Sequence, residues 1–169
     1  MTKTEITKKE LQTLKAITLT NPETMTELAQ TTSTSLSYTS TTLRKLQKKG
    51  FITQQRNRKE KKPQIADTPH ATILKTLILD TPHLNLDILA NKGTTILSTI
   101  TCQNLRTTKE LLEASGVSYR TYWSFMDTAR GMGLIQKNDT ITVNHRYNKI
   151  AQFIESYQRY IQQKKAHHR

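Results

Sequence analysis

The sequence predicts a mainly α protein with small β-hairpin wings, organised as two winged helix-turn-helix domains joined by a helical connector. Three observations lead there. One pattern occurs twice: Thr24, Glu27, Leu28, Ser35, Gly50 and Ile52 recur as Thr107, Glu110, Leu111, Ser118, Gly133 and Ile135, each shifted by 83 residues without a gap. Leu14 and Ile17 likewise map onto Leu97 and Ile100, so the register reaches back into a preceding helix. Within each copy, helix-start signals and apolar residues at three- and four-residue spacing are followed by a glycine and two short strand-like runs, which is the order helix, helix, helix, hairpin. The length of 169 residues also suits two domains of about 70 to 80 residues.

The first helix starts at Thr7-x-x-Glu10, where hydroxyl and carboxylate each satisfy an orphan backbone amide. Leu11, Leu14 and Ile17 share a face, and Asn21-Pro22 ends the helix. A second capping box, Thr24-x-x-Glu27, opens a short helix over 25–31 with Leu28 and Ala29 inward. Ser35 caps the third helix, whose inner stripe is Thr39, Leu43 and Leu46 and whose outer face shows Leu36, Ser37, Tyr38, Ser40, Thr41 and Arg44. Gly50 sits where a helix C-cap needs positive φ. Phe51-Ile52-Thr53 and Gln64-Ile65-Ala66 then read as a hairpin around a basic tip containing Arg56, Arg58, Lys59, Lys61 and Lys62.

Asp-Thr-Pro-His occurs at 67–70 and again at 80–83, and Thr followed by Pro is a helix-start signal, so helices are expected at about 69–79 and 82–91. The second copy follows in shortened form. A helix over 94–101 buries Ile96, Leu97 and Ile100, and Thr107-x-x-Glu110 caps the helix bearing Leu111 and Leu112. Ser118 caps a third helix with Tyr122, Phe125 or Met126, and Ala129 inward and Tyr119, Arg120, Thr121, Trp123 and Ser124 outward. A tight hairpin over 134–143 forms a small, nearly neutral wing. From Tyr147 to about Gln163, Ile150, Phe153, Ile154, Tyr157 and Ile161 make an amphipathic helix that runs into a basic tail. The expected domains are therefore 1–67, a connector over 68–93, a degenerate second winged helix over 94–146, and the C-terminal helix and tail over 147–169.

Twenty-six Lys and Arg against thirteen acids give a formal charge of +13 and point to a polyanion partner. Both parts carry the excess, +7 over 1–67 and +6 over the rest. Cys102 is the sole cysteine, which excludes an internal disulfide and a Cys-based zinc site; its position at the end of an apolar helix predicts a buried structural thiol. No histidine has a second ligand at metal spacing, and no cofactor is expected. Glu27 and Glu110 are accounted for as caps, Asp80 lies beside a helix start and Asp139 in a turn, and no phosphate loop or nucleophile elbow occurs, so an enzyme is not expected. No signal peptide or membrane span is legible, and a cytoplasmic protein is expected. The abundance of Thr reads as composition rather than mechanism.

Met25-Thr26-Glu27-Leu28-Ala29-Gln30, the helix from Ser35 to Leu43, and the junction Leu46-Gln47-Lys48-Lys49-Gly50-Phe51-Ile52 carry a resemblance. In these, residues 7–67 resemble the winged-helix DNA-binding domains of MarR and ArsR-like prokaryotic transcription regulators. Lys109-Glu110-Leu111-Leu112 and Gly131-Met132-Gly133-Leu134-Ile135 extend it to the second copy, where Ala129 replaces the usual Leu. The whole looks like an archaeal-type tandem winged-helix regulator. The resemblance implies that the third helix enters the major groove of DNA and the wing follows the flanking backbone or minor groove.

The residue chemistry points the same way for the first copy. Ser35, Ser37, Tyr38, Ser40 and Thr41 suit base edges, while Arg44, Lys45, Lys48 and Lys49 suit phosphates. Arg56, Arg58, Lys59, Lys61 and Lys62 place five charges on the wing. Neutralising about six phosphates would lower affinity on the order of a thousandfold between about 50 and 200 mM salt. In the second copy Tyr119, Arg120, Thr121, Trp123 and Arg130 form a second DNA surface or a partner surface. A homodimer is expected from the stripe Ile150 to Ile161, from the apolar connector and from the pairing of winged helices on pseudo-palindromic half-sites. A replication initiator of plasmid type and a protein scaffold of a chromosome or transcription complex are the alternatives. The sequence names no effector.

Overall fold

In the computed structural model, residues 4–57, 60–103, 105, 107–137 and 141–169 are described, with the side chains of Asn57 and Lys137 excepted. They form two compact units, each with its own core. Residues 7–84 make the first; residues 85–169 together with the N-terminal segment up to Ile6 make the second. The chain passes between them twice, after Ile6 and after Leu84.

The first unit has helices α1 (Lys8–Thr20), α2 (Met25–Thr31) and α3 (Leu36–Lys48), a hairpin of β1 (Ile52–Asn57) and β2 (Glu60–Ile65), and α4 (Pro69–Asp80). The capping box on α1 forms in both directions between Thr7 and Glu10, and Asn21 ends the helix in the left-handed region at φ 44. At α2 half of the expected box forms: the Thr24 hydroxyl accepts from Glu27 N, but the Glu27 carboxylate accepts from Glu23 N at 2.9 Å, one residue earlier. Thr32, Thr34 and Thr39 link their hydroxyls at 2.9 and 2.8 Å, bracing the turn between α2 and α3. Some of the abundant threonine is therefore structural mechanism. Leu11, Leu14, Ile17, Leu28, Leu43, Leu46, Phe51 and Leu74 fill the core, with α4 laid against α1.

The second unit repeats this plan with α5 (Lys92–Cys102), α6 (Thr108–Ser115), α7 (Tyr119–Gly131), the hairpin β3 (Ile135–Lys137) and β4 (Ile141–Val143), and α8 (Asn148–His167). Here α8 stands where α4 stands in the first unit, and it packs on α5. Ile150, Phe153, Ile154 and Tyr157, from the stripe expected to pair two copies, lie inside this unit at 0, 0, 0 and 1% exposure. The N-terminal segment completes the same core: Ile6 is fully buried, its carbonyl accepts from Asn91 N at 2.7 Å, and Tyr157 Oη donates to Thr4 O at 2.7 Å.

Two expectations need correction. Residues 82–91 are not an α-helix but a turn followed by a 3-10 turn over Leu86–Leu89. The second Asp-Thr-Pro-His ends a helix instead of starting one, because Pro82 forces Thr81 away from helical geometry and the Thr81 hydroxyl donates to Leu77 O at 2.6 Å. Cys102 is exposed, since α5 buries Ile96, Leu97 and Ile100 and its last turn brings position 102 out to solvent. The turn residues Asn138, Asp139 and Thr140 of the second wing lie outside the described residues.

Candidate nucleic-acid interface

The periodicity of α3 sets up its outer surface. Thr39, Thr42, Leu43 and Leu46 face inward, which turns Ser37, Thr41, Arg44, Lys45 and Lys48 to solvent and leaves Ser40 half-buried. Leu36 and Tyr38 stand out of the first turn at 48 and 47% exposure. Ser35 is occupied at the cap, its Oγ accepting from Tyr38 N at 3.2 Å. The expected residues of this helix thus occupy one exposed ridge, polar at its start and cationic at its end.

The strand register brings the wing charges together. Arg56 lies directly opposite Lys61, and Gln55 opposite Lys62. Directly paired residues share a face with Cβ atoms about 5 Å apart, so two like charges there repel. Arg56 and Lys61 are both exposed. Lys62 differs, because its Nζ lies 2.9 Å from the exposed carboxylate of Glu23. Arg58 and Lys59 fall outside the described residues.

Lys49 leaves the expected phosphate set. It is buried, with Nζ 2.7 Å from Oε2 of the equally buried Glu10. Position 49 follows Leu46 by three residues and so continues the inner stripe rather than the outer one. Glu10 serves twice, accepting from Thr7 N at 3.3 Å and pairing with Lys49. The same junction is held from α4: His70 Nε2 donates to Lys49 O at 2.9 Å, and the Thr68 hydroxyl donates to Gly50 O at 2.6 Å. A carbonyl only accepts, so this bond places the imidazole proton on Nε2. Burial pushes the His70 pKa below its ordinary value, and the bond to Lys49 O acts against that.

In the second unit α7 is aromatic where α3 is hydroxylated. Tyr122, Phe125, Met126 and Ala129 face inward. Tyr119 is 68% exposed and meets Trp123 edge to face at 5.9 Å, and the Arg130 guanidinium sits 5.7 Å from the Trp123 ring centre. The Trp123 indole N–H is buried with no acceptor among the described residues. Arg120 is exposed and Thr121 half-buried. Burial raises the Tyr122 phenol above its ordinary pKa, opposed by the Thr108 hydroxyl and the Arg130 charge.

No family model matches this chain. No curated protein matches it either. Among solved structures it is similar to ScpB from Mycobacterium tuberculosis, at 18% identity and a TM-score of 0.29, over 82% of this chain and 91% of that one. The tandem winged-helix fold itself is established by the element order, three helices and a hairpin made twice with matching caps.

The sequence marks Glu10 and Thr68 as helix-start residues and Lys49 as a phosphate contact, and gives no sign that with His70 they form the group that fixes the base of the first wing. A signal for Glu10 existed: it precedes Leu14 and Ile17 by four and seven residues, on the buried stripe. No comparable signal marks His70, whose partner is a backbone carbonyl on another element. Among the described residues, no group of three or more His, Cys, Asp or Glu is placed to hold a metal ion, and no helix is long and apolar enough to cross a membrane.

Proposed function

We propose that this chain is a DNA-binding protein of the transcription-regulator kind, gripping a duplex with α3 and the wing of its first unit. The observation that carries the reading is the Arg56–Lys61 pair: two exposed like charges held opposite each other on a hairpin whose neighbouring helix ends in Arg44, Lys45 and Lys48. Such a pair destabilises the isolated hairpin and is relieved when a polyanion lies across it. In this reading α3 enters the major groove, its cationic end reaches phosphates, and the wing follows the backbone.

Five phosphates neutralised by Arg44, Lys45, Lys48, Arg56 and Lys61 correspond to a loss of affinity of about 500-fold between about 50 and 200 mM salt. The test is the Arg56→Ala, Lys61→Ala double variant with duplex affinity measured across that range. Weaker binding with a salt slope shallower by about 2 is expected. An unchanged slope removes the wing from the mechanism. Two copies pair on two half-sites in this reading, and sedimentation showing a strict monomer on DNA and off it would remove the dimer.

One observation favours a second reading, that of a protein scaffold. Tyr119, Trp123 and Arg130 form the aromatic and arginine surface that anchors protein contacts, while Arg120 is the other exposed cation of α7. Tyr119→Ala separates the two readings. Undiminished duplex affinity, together with loss of a co-purifying protein, assigns the second unit to a protein partner; reduced duplex affinity assigns it to DNA.

A further inference from the structure

We infer that the first two turns of α3 read thymine methyl groups, so that the ligand class is A·T-rich duplex DNA; this rests on the DNA-binding reading above. In a helix lying in the major groove, the residues near its N-terminus reach base edges. Residues 36–42 here are Leu, Ser, Tyr, Thr, Ser, Thr, Thr, without Arg, Lys, Asn or Gln. The first such group, Arg44, lies eight residues on, about 12 Å along the axis. The bidentate pairings that identify guanine through Arg or Lys and adenine through Asn or Gln are therefore absent from the reading end.

The threonine hydroxyls there are turned back onto the helix. Thr39 Oγ1 donates to Ser35 O at 2.9 Å, Thr41 Oγ1 to Ser37 O at 3.1 Å, and Thr42 Oγ1 to Tyr38 O at 3.0 Å. Thr39 and Thr42 are buried besides. Beside the exposed Ser37, the start of the helix offers two apolar groups outward: the Leu36 side chain and the Tyr38 ring, each nearly half exposed. In the major groove the one apolar group on a base edge is the C5-methyl of thymine. Charge argues that duplex DNA, and not an apolar protein, covers these two residues. The same ridge continues into Arg44, Lys45 and Lys48 without an acidic residue anywhere in α3.

The experiment selects duplexes from a random pool with the full chain, then replaces thymines of the selected site by uracil one position at a time. Uracil keeps the pairing edge and lacks the methyl. Loss of about fourfold in affinity is expected for each methyl that is buried on binding. At the position that Leu36 covers, the replacement should cost nothing in Leu36→Ala, a variant expected to fold because Leu36 lies outside the core, with circular dichroism as the check. Uracil duplexes bound within twofold at every position, a G·C-rich selected site, or an undiminished uracil effect in Leu36→Ala would each overturn the inference and leave the DNA-binding reading standing. Failure to retain any duplex would overturn that reading itself.

Discussion

At the passage from third helix to wing, the two units make the same hydrogen bonds at the same offset. Gly50 N donates to Gln47 O and Phe51 N to Leu46 O at 3.1 and 3.0 Å; Gly133 N donates to Arg130 O and Leu134 N to Ala129 O at 2.9 Å each. Both glycines sit at φ 73, where a side chain is strained, so the glycine is required twice for one reason. The hairpins then close alike, Ala66 N on Phe51 O at 2.9 Å and Asn144 N on Leu134 O at 2.7 Å, but with a longer excursion between them in the first unit. The frame is shared, and its occupants are not. The positions of Glu10, Lys49 and His70 are held by Gly93, Met132 and Phe153 in the second unit. Both junctions are bonded through side chains, since the Tyr147 hydroxyl donates to Met132 O at 2.9 Å and Asn144 Nδ2 to Gly133 O at 3.0 Å, but only the junction under the basic wing holds a buried ion pair among the described residues.

The difference at that junction supplies the largest expected effect. Lys49→Met gives the first unit the residue its counterpart uses, but leaves the Glu10 carboxylate buried without its cation. Removing one member of a buried pair costs about 3 to 5 kcal/mol. Unfolding by denaturant should show this loss in the transition of the first unit. Adding Glu10→Leu should recover most of it, because an apolar pair of similar volume is tolerated where an isolated charge is not. A single variant that costs under about 1 kcal/mol would mean that water reaches Glu10 and that the pair is not a structural requirement of the wing.

His70 gives the next effect, through pH. Its folded pKa is depressed below 6.5 by burial. As pH falls below that value the unfolded chain takes up a proton that the folded chain refuses. Stability from this site is therefore complete above about pH 6.5 and declines on acidification, by at most about 1.4 kcal/mol per pH unit, until the folded pKa is reached. The second unit holds Phe153, fully buried, at the equivalent position and has no such dependence from this source. His70→Phe should flatten the first unit's stability profile on the acid side of about pH 6.5. A slope that persists in this variant would assign the acid sensitivity to other groups.

These contrasts bear on what the sequence could show. The repeat exposed the frame because its marks are local: the caps Thr7, Ser35, Thr107 and Ser118 and the paired glycines are each recognisable within a few residues. The ridge of α3 was legible from helical periodicity alone. Lys49 was misplaced because a cation at the end of a basic helix looks solvated, and its partner lies 39 residues away. Residues 82–91 were misread because Thr-Pro after a turn and Thr-Pro closing a helix are the same letters, distinguished by whether Thr81 caps forward or back. The N-terminal segment gave no sign of belonging to the second core, since its contact with Tyr157 spans 153 residues.

That long contact provides the smallest effect and the finest test of the division into units. Tyr157→Phe keeps the ring, which stacks on Phe153 at 6.0 Å, and removes the hydroxyl that donates to Thr4 O. Thr4 is exposed, so water can take over its carbonyl, and the loss should fall near the lower end of the usual range, about 0.5 to 1 kcal/mol. Amide exchange should quicken at Asn91, whose N–H bonds Ile6 O, while the amides of α1 to α4 keep their rates. Faster exchange across α1 to α4 as well would mean that the two units open as one, and that the N-terminal segment transmits stability to the winged helix that follows it.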